Sequence, residues 1–179
     1  FEDLLKKVED KSLKLIEDKS PNLKKKTGVA RKVALSAIIF NDLKQDRTHN
    51  IIFDWNESLR SEGRTGPYLL YTYARASSIS RKVKSKKSLK ILDLKDSEIR
   101  LLKKIADFEN AVEKSASNYK PSILAEYSFE LAQTFNEFYH SCPVLGSDEE
   151  GFRLKLVEAF RTTLKKSLEL LGINVVEEM

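Results

Sequence analysis

The chain is 179 residues long, 41% hydrophobic and 33% charged, with a formal charge of +5. Those proportions describe one folded domain large enough to bury a core and exclude a disordered chain. Its single cysteine, Cys142, excludes an intramolecular disulfide and a multi-cysteine zinc site, and no apolar run approaches the ~20 residues that span a bilayer. The positive balance favours a polyanionic partner, nucleic acid or a membrane surface, without choosing between them. The cysteine usage fits a reducing, cytoplasmic setting. The chain starts on Phe1 inside an amphipathic stretch, which reads as the edge of a longer protein.

Six glycines and four prolines leave long stretches free to be helical. Phe1, Leu4, Leu5 and Val8 share one face at helical spacing, and Ser20-Pro21-Asn22 breaks that helix ahead of Lys24-Lys25-Lys26. A second helix is predicted over 27–43, with Val29, Val33, Ile38 and Phe40 on its buried face. The polar stretch 44–50 reads as a loop and Ile51-Ile52-Phe53 as a short extended run. Asp54 is placed to cap a turn carrying Trp55 and Leu59.

Residues 63–67 punctuate the chain most clearly, and Pro67 suits the first position of a helix running to about Val83. A basic linker, 84–90, precedes a helix starting near Ser97 with Asp96 as its cap and Ile99, Leu102, Ile105 and Val112 as its apolar stripe. Pro121 opens a further helix, where Leu124, Tyr127, Leu131, Phe135 and Phe138 recur at three- and four-residue steps until Pro143. Asp148, Glu149 and Glu150 suit the N-terminus of the last helix, which carries Val157, Phe160, Leu164, Leu168 and Leu171. Gly172 is placed to stop it in the left-handed conformation. The pattern is that of an all-α, mostly antiparallel helical bundle.

Catalytic hardware is scarce. Two histidines, His49 and His140, lie far apart, and no nucleophile elbow, Walker loop or dinucleotide-binding turn is present. The informative stretch begins at Pro67. On a helix Tyr68, Tyr71 and Arg75 share a face, while Leu69, Leu70, Tyr73 and Ala76 flank it and supply buried contacts. Aromatic rings beside a guanidinium can hold an unstacked base, each stack being worth roughly 1–3 kcal/mol. Arg81, Lys82, Lys84, Lys86, Lys87 and Lys90 follow without an intervening acid, a run suited to phosphate contacts. The same tyrosine spacing serves equally as amphipathic core with hydroxyls at the rim, and the same lysines as a solvated linker.

Phe53-Asp54-Trp55, then residues 62–71 (Glu-Gly-Arg-Thr-Gly-Pro-Tyr-Leu-Leu-Tyr), then Ala74-Arg75 and Ser77-Ser78-Ile79 resemble the signature of arginyl-tRNA synthetases. Phe138-Tyr139-His140 with Pro143-Val144-Leu145 is similar to that family's late motif, and Leu170-Leu171-Gly172-Ile173 running to Met179 to its ending. Leu70, Arg64 and Ser61 stand where glutamine, Asn or Asp, and an aromatic are common in the family.

The resemblance implies an α-helical, DALR-type anticodon-binding domain of a class I aminoacyl-tRNA synthetase over 27–179. Residues 1–26 would be a helix and linker continuing from the catalytic domain. The implied function is recognition of the anticodon stem-loop of arginine tRNA, for an enzyme that uses ATP and Mg to join arginine to the tRNA. Tyr68 and Tyr71 would contact anticodon-loop nucleotides, Tyr139 would join them, and Met179 would pack against the loop. Arg75 is added on chemical grounds, and Arg81, Lys82 and Lys84 as backbone contacts. The expected partners are that stem-loop and the catalytic domain, without a membrane. The two ATP signatures, His-x-Gly-His and Lys-Met-Ser-Lys-like, are absent here, so no cofactor and no ligase activity are expected of this piece alone. The alternative is a helical module that binds a protein partner rather than RNA.

Overall fold

The computed structural model describes residues 2–46, 48, 54–83, 89 and 93–179. Eight helices and no strand occur among the described residues: α1 (Glu2–Lys19), α2 (Lys26–Leu43), α3 (Trp55–Ser58), α4 (Gly66–Lys82), α5 (Asp96–Ala106), α6 (Phe108–Ser117), α7 (Pro121–Ser141) and α8 (Glu150–Leu170). The helices α1 and α2 form one pair, and α2 packs on α4 as well. Both α4 and α7 lie against α8, and α5 and α6 cover α7.

The spine is α7. Its three- and four-residue repeat places Leu124, Tyr127, Leu131, Phe135 and Phe138 inward, and all five are buried. Phe135 stacks on Phe160 of α8 with ring centroids 3.9 Å apart, and Val157, Leu164 and Leu168 continue that face. After α8, Gly172 adopts φ +78°, which reverses the chain so that Ile173 and Val176 return to the core.

The start of α4 is locked locally. The Thr65 hydroxyl donates to the Arg60 carbonyl (2.6 Å) and accepts from the Tyr68 N–H (3.2 Å), making Thr65 the N-cap and Pro67 the second helical residue. Gly66 permits contact with α2 that no other residue would: a Cβ there would stand 2.1 Å from the Ser36 carbonyl oxygen. Asp54 caps α3 as its position suggests, accepting from the N–H groups of Asn56 (2.7 Å) and Glu57 (3.1 Å).

The predicted stripe on α5 is corrected by the structure. Leu101, not Leu102, is buried, and the helix begins at Asp96 rather than being capped by it. The cause is a buried charge. The Glu98 carboxylate turns inward, accepting from the Lys95 N–H (2.8 Å) and pairing with Arg153 of α8 (2.7 Å). Leu101 follows it on the same face. The apolar run is also divided at Asp107 into α5 and α6. Arg153 further pairs with Glu149 (2.6 Å) and donates to the Pro143 carbonyl (2.9 Å), so it joins α5, α8 and the α7–α8 loop. Glu149 thus neutralises a buried guanidinium as well as opening α8.

Residues 172–179 lie back across the bundle. Lys32 of α2 donates to the Val175 carbonyl (3.1 Å), and Arg81 of α4 to the Glu177 carbonyl (2.9 Å). The Glu177 carboxylate accepts from the Tyr73 hydroxyl (3.0 Å) and pairs with Arg161 of α8 (2.9 Å). Burial opposes the Glu177 charge, but hydrogen bonds from Ser77 and Tyr73 and the Arg161 guanidinium together hold its pKa below the usual carboxylate value.

Candidate nucleic-acid interface

A groove of about 590 Å³ opens where α4, α7 and the last residues converge. Tyr71, Arg75, Arg81, Lys82, Tyr139 and Met179 all line it. The turn between α1 and α2 also lines it, through Ser20, Pro21, Asn22 and Leu23. Six of the eight residues proposed from sequence therefore share one concavity.

The centre of the groove is an arginine between two rings. The Arg75 guanidinium carbon lies 4.9 Å from the Tyr71 ring centroid and 5.3 Å from that of Tyr139, within the range of cation–π attraction. Both tyrosines are about 40% exposed, so each keeps ring surface open to solvent. Tyr139 is backed by Phe135, its ring lying 6.4 Å away and nearly parallel. Arg81 is partly engaged, lying 3.7 Å from the Glu178 carboxylate, while Lys82 is exposed.

Tyr68 is placed differently from the expectation of a shared face. It does not line the groove but sits half-buried in the α4–α7 seam, its ring centroid 5.7 Å from that of Phe129. One helical turn of the α4 surface separates it from Tyr71, and Phe129 draws the ring inward. Its hydroxyl accepts from the Asn136 side-chain amide (2.8 Å), and the same amide accepts from Arg75 (2.7 Å). Tyr68 is thus tied to the groove through Asn136. Lys84, the eighth residue, lies outside the described residues, as do Lys86, Lys87, Lys90, His49 and the 51–53 run.

Sequence reasoning missed Asn136 and the 20–23 turn. The signal for Asn136 was its position three residues before Tyr139, one turn away on the same helix face. Leu70 is fully buried beside Leu69, so an apolar residue fits that position in this chain. Arg64 pairs with Glu126 and lies over the Phe129 ring at 6.0 Å, which directs its charge away from the groove. Among the described residues no group of three His, Cys, Asp or Glu is placed to hold a metal, and no helix is long and apolar enough to cross a membrane. The groove offers stacking surfaces and fixed cations, which are tools of recognition.

An all-helical bundle with an aromatic and cationic groove at the junction of α4, α7 and the chain's last residues defines the class. Comparison with known proteins adds the family. Residues 69–179 match the family model of the DALR anticodon binding domain, and residues 1–55 match that of the class I tRNA synthetase (R) catalytic domain. Arginine–tRNA ligases of Clostridium botulinum (strain Alaska E43) and Clostridium acetobutylicum are 41% and 44% identical over the whole of this chain. The chain spans 33% of the length of each. An arginyl-tRNA synthetase structure from Thermus thermophilus superposes with a TM-score of 0.96 at 34% identity, over 99% of this chain and 32% of its own. One from Plasmodium falciparum gives 0.84 at 30% identity, with the same coverage. The chain belongs to the DALR anticodon-binding domain family of arginyl-tRNA synthetases.

Proposed function

We propose that this chain recognises the anticodon stem-loop of arginine tRNA, as part of an arginine–tRNA ligase of which it forms about a third. The observation that carries the reading is the convergence of Tyr71, Arg75, Tyr139, Arg81, Lys82 and Met179 in one groove. Unstacked loop bases would lie on the open faces of Tyr71 and Tyr139, and Met179 would pad the rim. Arg75, Arg81 and Lys82, with Lys84 beyond α4, would hold the backbone. Tyr68 would act from the seam, supporting the groove through Asn136.

On this reading residues 1–26 are the helix and linker continuing from the catalytic domain, and 27–179 the anticodon-binding domain. The support for the division is the turn at 20–25, which breaks the chain between α1 and α2. Arginine activation with ATP and Mg, and transfer to tRNA, would belong to the remaining two thirds of the protein, working in the cytoplasm. The two ATP signatures, His-x-Gly-His and Lys-Met-Ser-Lys-like, do not occur in these 179 residues.

Fluorescence anisotropy of a labelled arginine-tRNA anticodon stem-loop, titrated with the chain at two salt concentrations, tests the reading. Binding should weaken as salt rises. Loss of one stacking ring, in Tyr71→Ala or Tyr139→Ala, should cost about 1–3 kcal/mol of binding free energy. A chain indifferent to the RNA at low salt overturns the proposal and favours a protein partner instead.

A further inference from the structure

Asn136 of α7 is half-buried beside α4, and both ends of its amide are engaged. Arginine has only N–H donors, so the amide atom 2.7 Å from Arg75 Nη1 is the oxygen, Oδ1. The other end, Nδ2, then points its two hydrogens at the Tyr68 hydroxyl (2.8 Å) and the Thr72 hydroxyl (3.3 Å). Thr72 gives its own proton to the Tyr68 carbonyl (2.9 Å), which leaves its oxygen free to accept. Only one amide orientation satisfies all three neighbours. The side chain is also neutral, so it aims the guanidinium without cancelling its charge. Glu178, the carboxylate that lines the groove, lies on Arg81 instead.

We propose that Asn136 is a positioning residue: it holds the Arg75 guanidinium between the Tyr71 and Tyr139 rings, so that the groove presents a preset cation to an RNA phosphate. Aspartate at this position would keep the bond to Arg75 but neutralise it, and would leave Thr72 without a donor. Alanine would remove the hydrogen bond that fixes Arg75 to α7, leaving the guanidinium its two ring contacts and a 3.4 Å bond to the Tyr71 hydroxyl, and so freer to move. Arg75 would then have to be ordered on binding, at a cost in affinity. The inference rests on the reading that the groove takes RNA.

The test is binding of the anticodon stem-loop to the 179-residue chain across a salt series, with Asn136→Asp, Asn136→Ala, Arg75→Ala and the double variants. Asn136→Asp should lower the slope of log K against log salt by about one phosphate contact, with a modest fall in melting temperature from the lost donor to buried Thr72. Asn136→Ala should weaken binding roughly fivefold or more while keeping most of the slope. Both effects should vanish in the Arg75→Ala background. A residue that merely supports the fold would lower the melting temperature and keep its effect there, and that result overturns the proposal. So does a wild-type slope and affinity in both Asn136 variants. If these variants fail to fold, Arg75→Lys decides. It retains the charge but cannot reach Asn136 and both rings together, so affinity should fall; wild-type binding by it overturns the proposal. If the unmodified chain ignores the RNA, the proposed function fails first, and this inference with it.

Discussion

Replacing Gly66 by alanine adds one methyl group, and the structure sets where it goes. The new Cβ would lie 2.1 Å from the Ser36 carbonyl oxygen and 2.4 Å from its carbon. Close carbon–oxygen contacts lie at about 3.3–3.6 Å, so relieving the 2.1 Å contact parts α4 and α2 by about 1.2–1.5 Å. The obstructing atoms are backbone and cannot rotate away. A gap of about 0.5–1 Å already forfeits about a quarter to a half of each dispersion contact it opens, and this one is wider. The contacts at risk include Val33 and Phe40 of α2 and Leu69 and Leu70 of α4, members of one core cluster. Overpacking of this kind costs about 1–3 kcal/mol, and rigid backbone puts Gly66→Ala near the upper end. Against it stands a helix-propensity gain of at most about 1 kcal/mol. The net loss, about 2 kcal/mol, lowers the melting temperature by roughly 4–8 °C in a chain of this size.

Circular dichroism during thermal and urea unfolding measures the loss. Gly28→Ala is the control, because it lies in α2 with nothing within 4 Å of its added Cβ and should be neutral or slightly stabilising. If Gly66→Ala melts at or above the parent temperature, the reasoning about the α2–α4 contact is refuted.

Arg153→Ala leaves Glu98 buried without its guanidinium, with side-chain exposures of 4% and 0% for the pair. The expected loss is about 3–5 kcal/mol in urea unfolding, and a loss near zero would contradict the buried-pair account. Glu177 has a folded pKa below its ordinary value, so its contribution is present above about pH 4.3 and lost as pH falls through the folded value. The melting-temperature gap between the parent and Glu177→Gln should be open at pH 7 and close in acid; a constant gap would count against the clamp. Phe135→Ala empties the ring position stacked on Phe160 at 3.9 Å and should cost about 3–5 kcal/mol. Equilibrium unfolding checks this value.

The helical bundle was legible wherever apolar residues followed a single period between strong punctuation. In α7 the repeat from Leu124 to Phe138, bounded by Pro121 and Pro143, specified the inward face residue by residue. The same logic placed α5 and the core contacts of Ile105 and Val112 but took Leu102 for Leu101, because a charged residue, Glu98, is buried there and Leu101 follows it inward. Periodicity has no means of reporting that a partner, Arg153, waits 55 residues away. The groove was legible in part. Tyr71, Tyr139 and Met179 follow from ordered motifs that resemble a family, and Arg75 from its place on the Tyr71 face of α4.

Spacing alone put Tyr68 beside Tyr71, but Phe129 on another helix decides where its ring rests. Asn136 was passed over because a lone polar residue on an amphipathic helix usually faces solvent, and its partners lie 61 to 68 residues earlier. The 20–23 wall is a product of how α1 pairs with α2 while α2 packs on α4, a tertiary fact with no local signature.

The central claim is that RNA enters this groove, and the tyrosine ring resonances report on it residue by residue. Nuclear magnetic resonance with ring-labelled tyrosine, recorded as the anticodon stem-loop is added, compares the groove with the rest of the molecule. Tyr71 and Tyr139 should shift, each being about 40% exposed within it, while buried Tyr127 stays fixed. Tyr119, 78% exposed but outside the groove, should also hold still. Shifts confined to Tyr119, or unchanged signals from Tyr71 and Tyr139 under saturating RNA, would contradict the account.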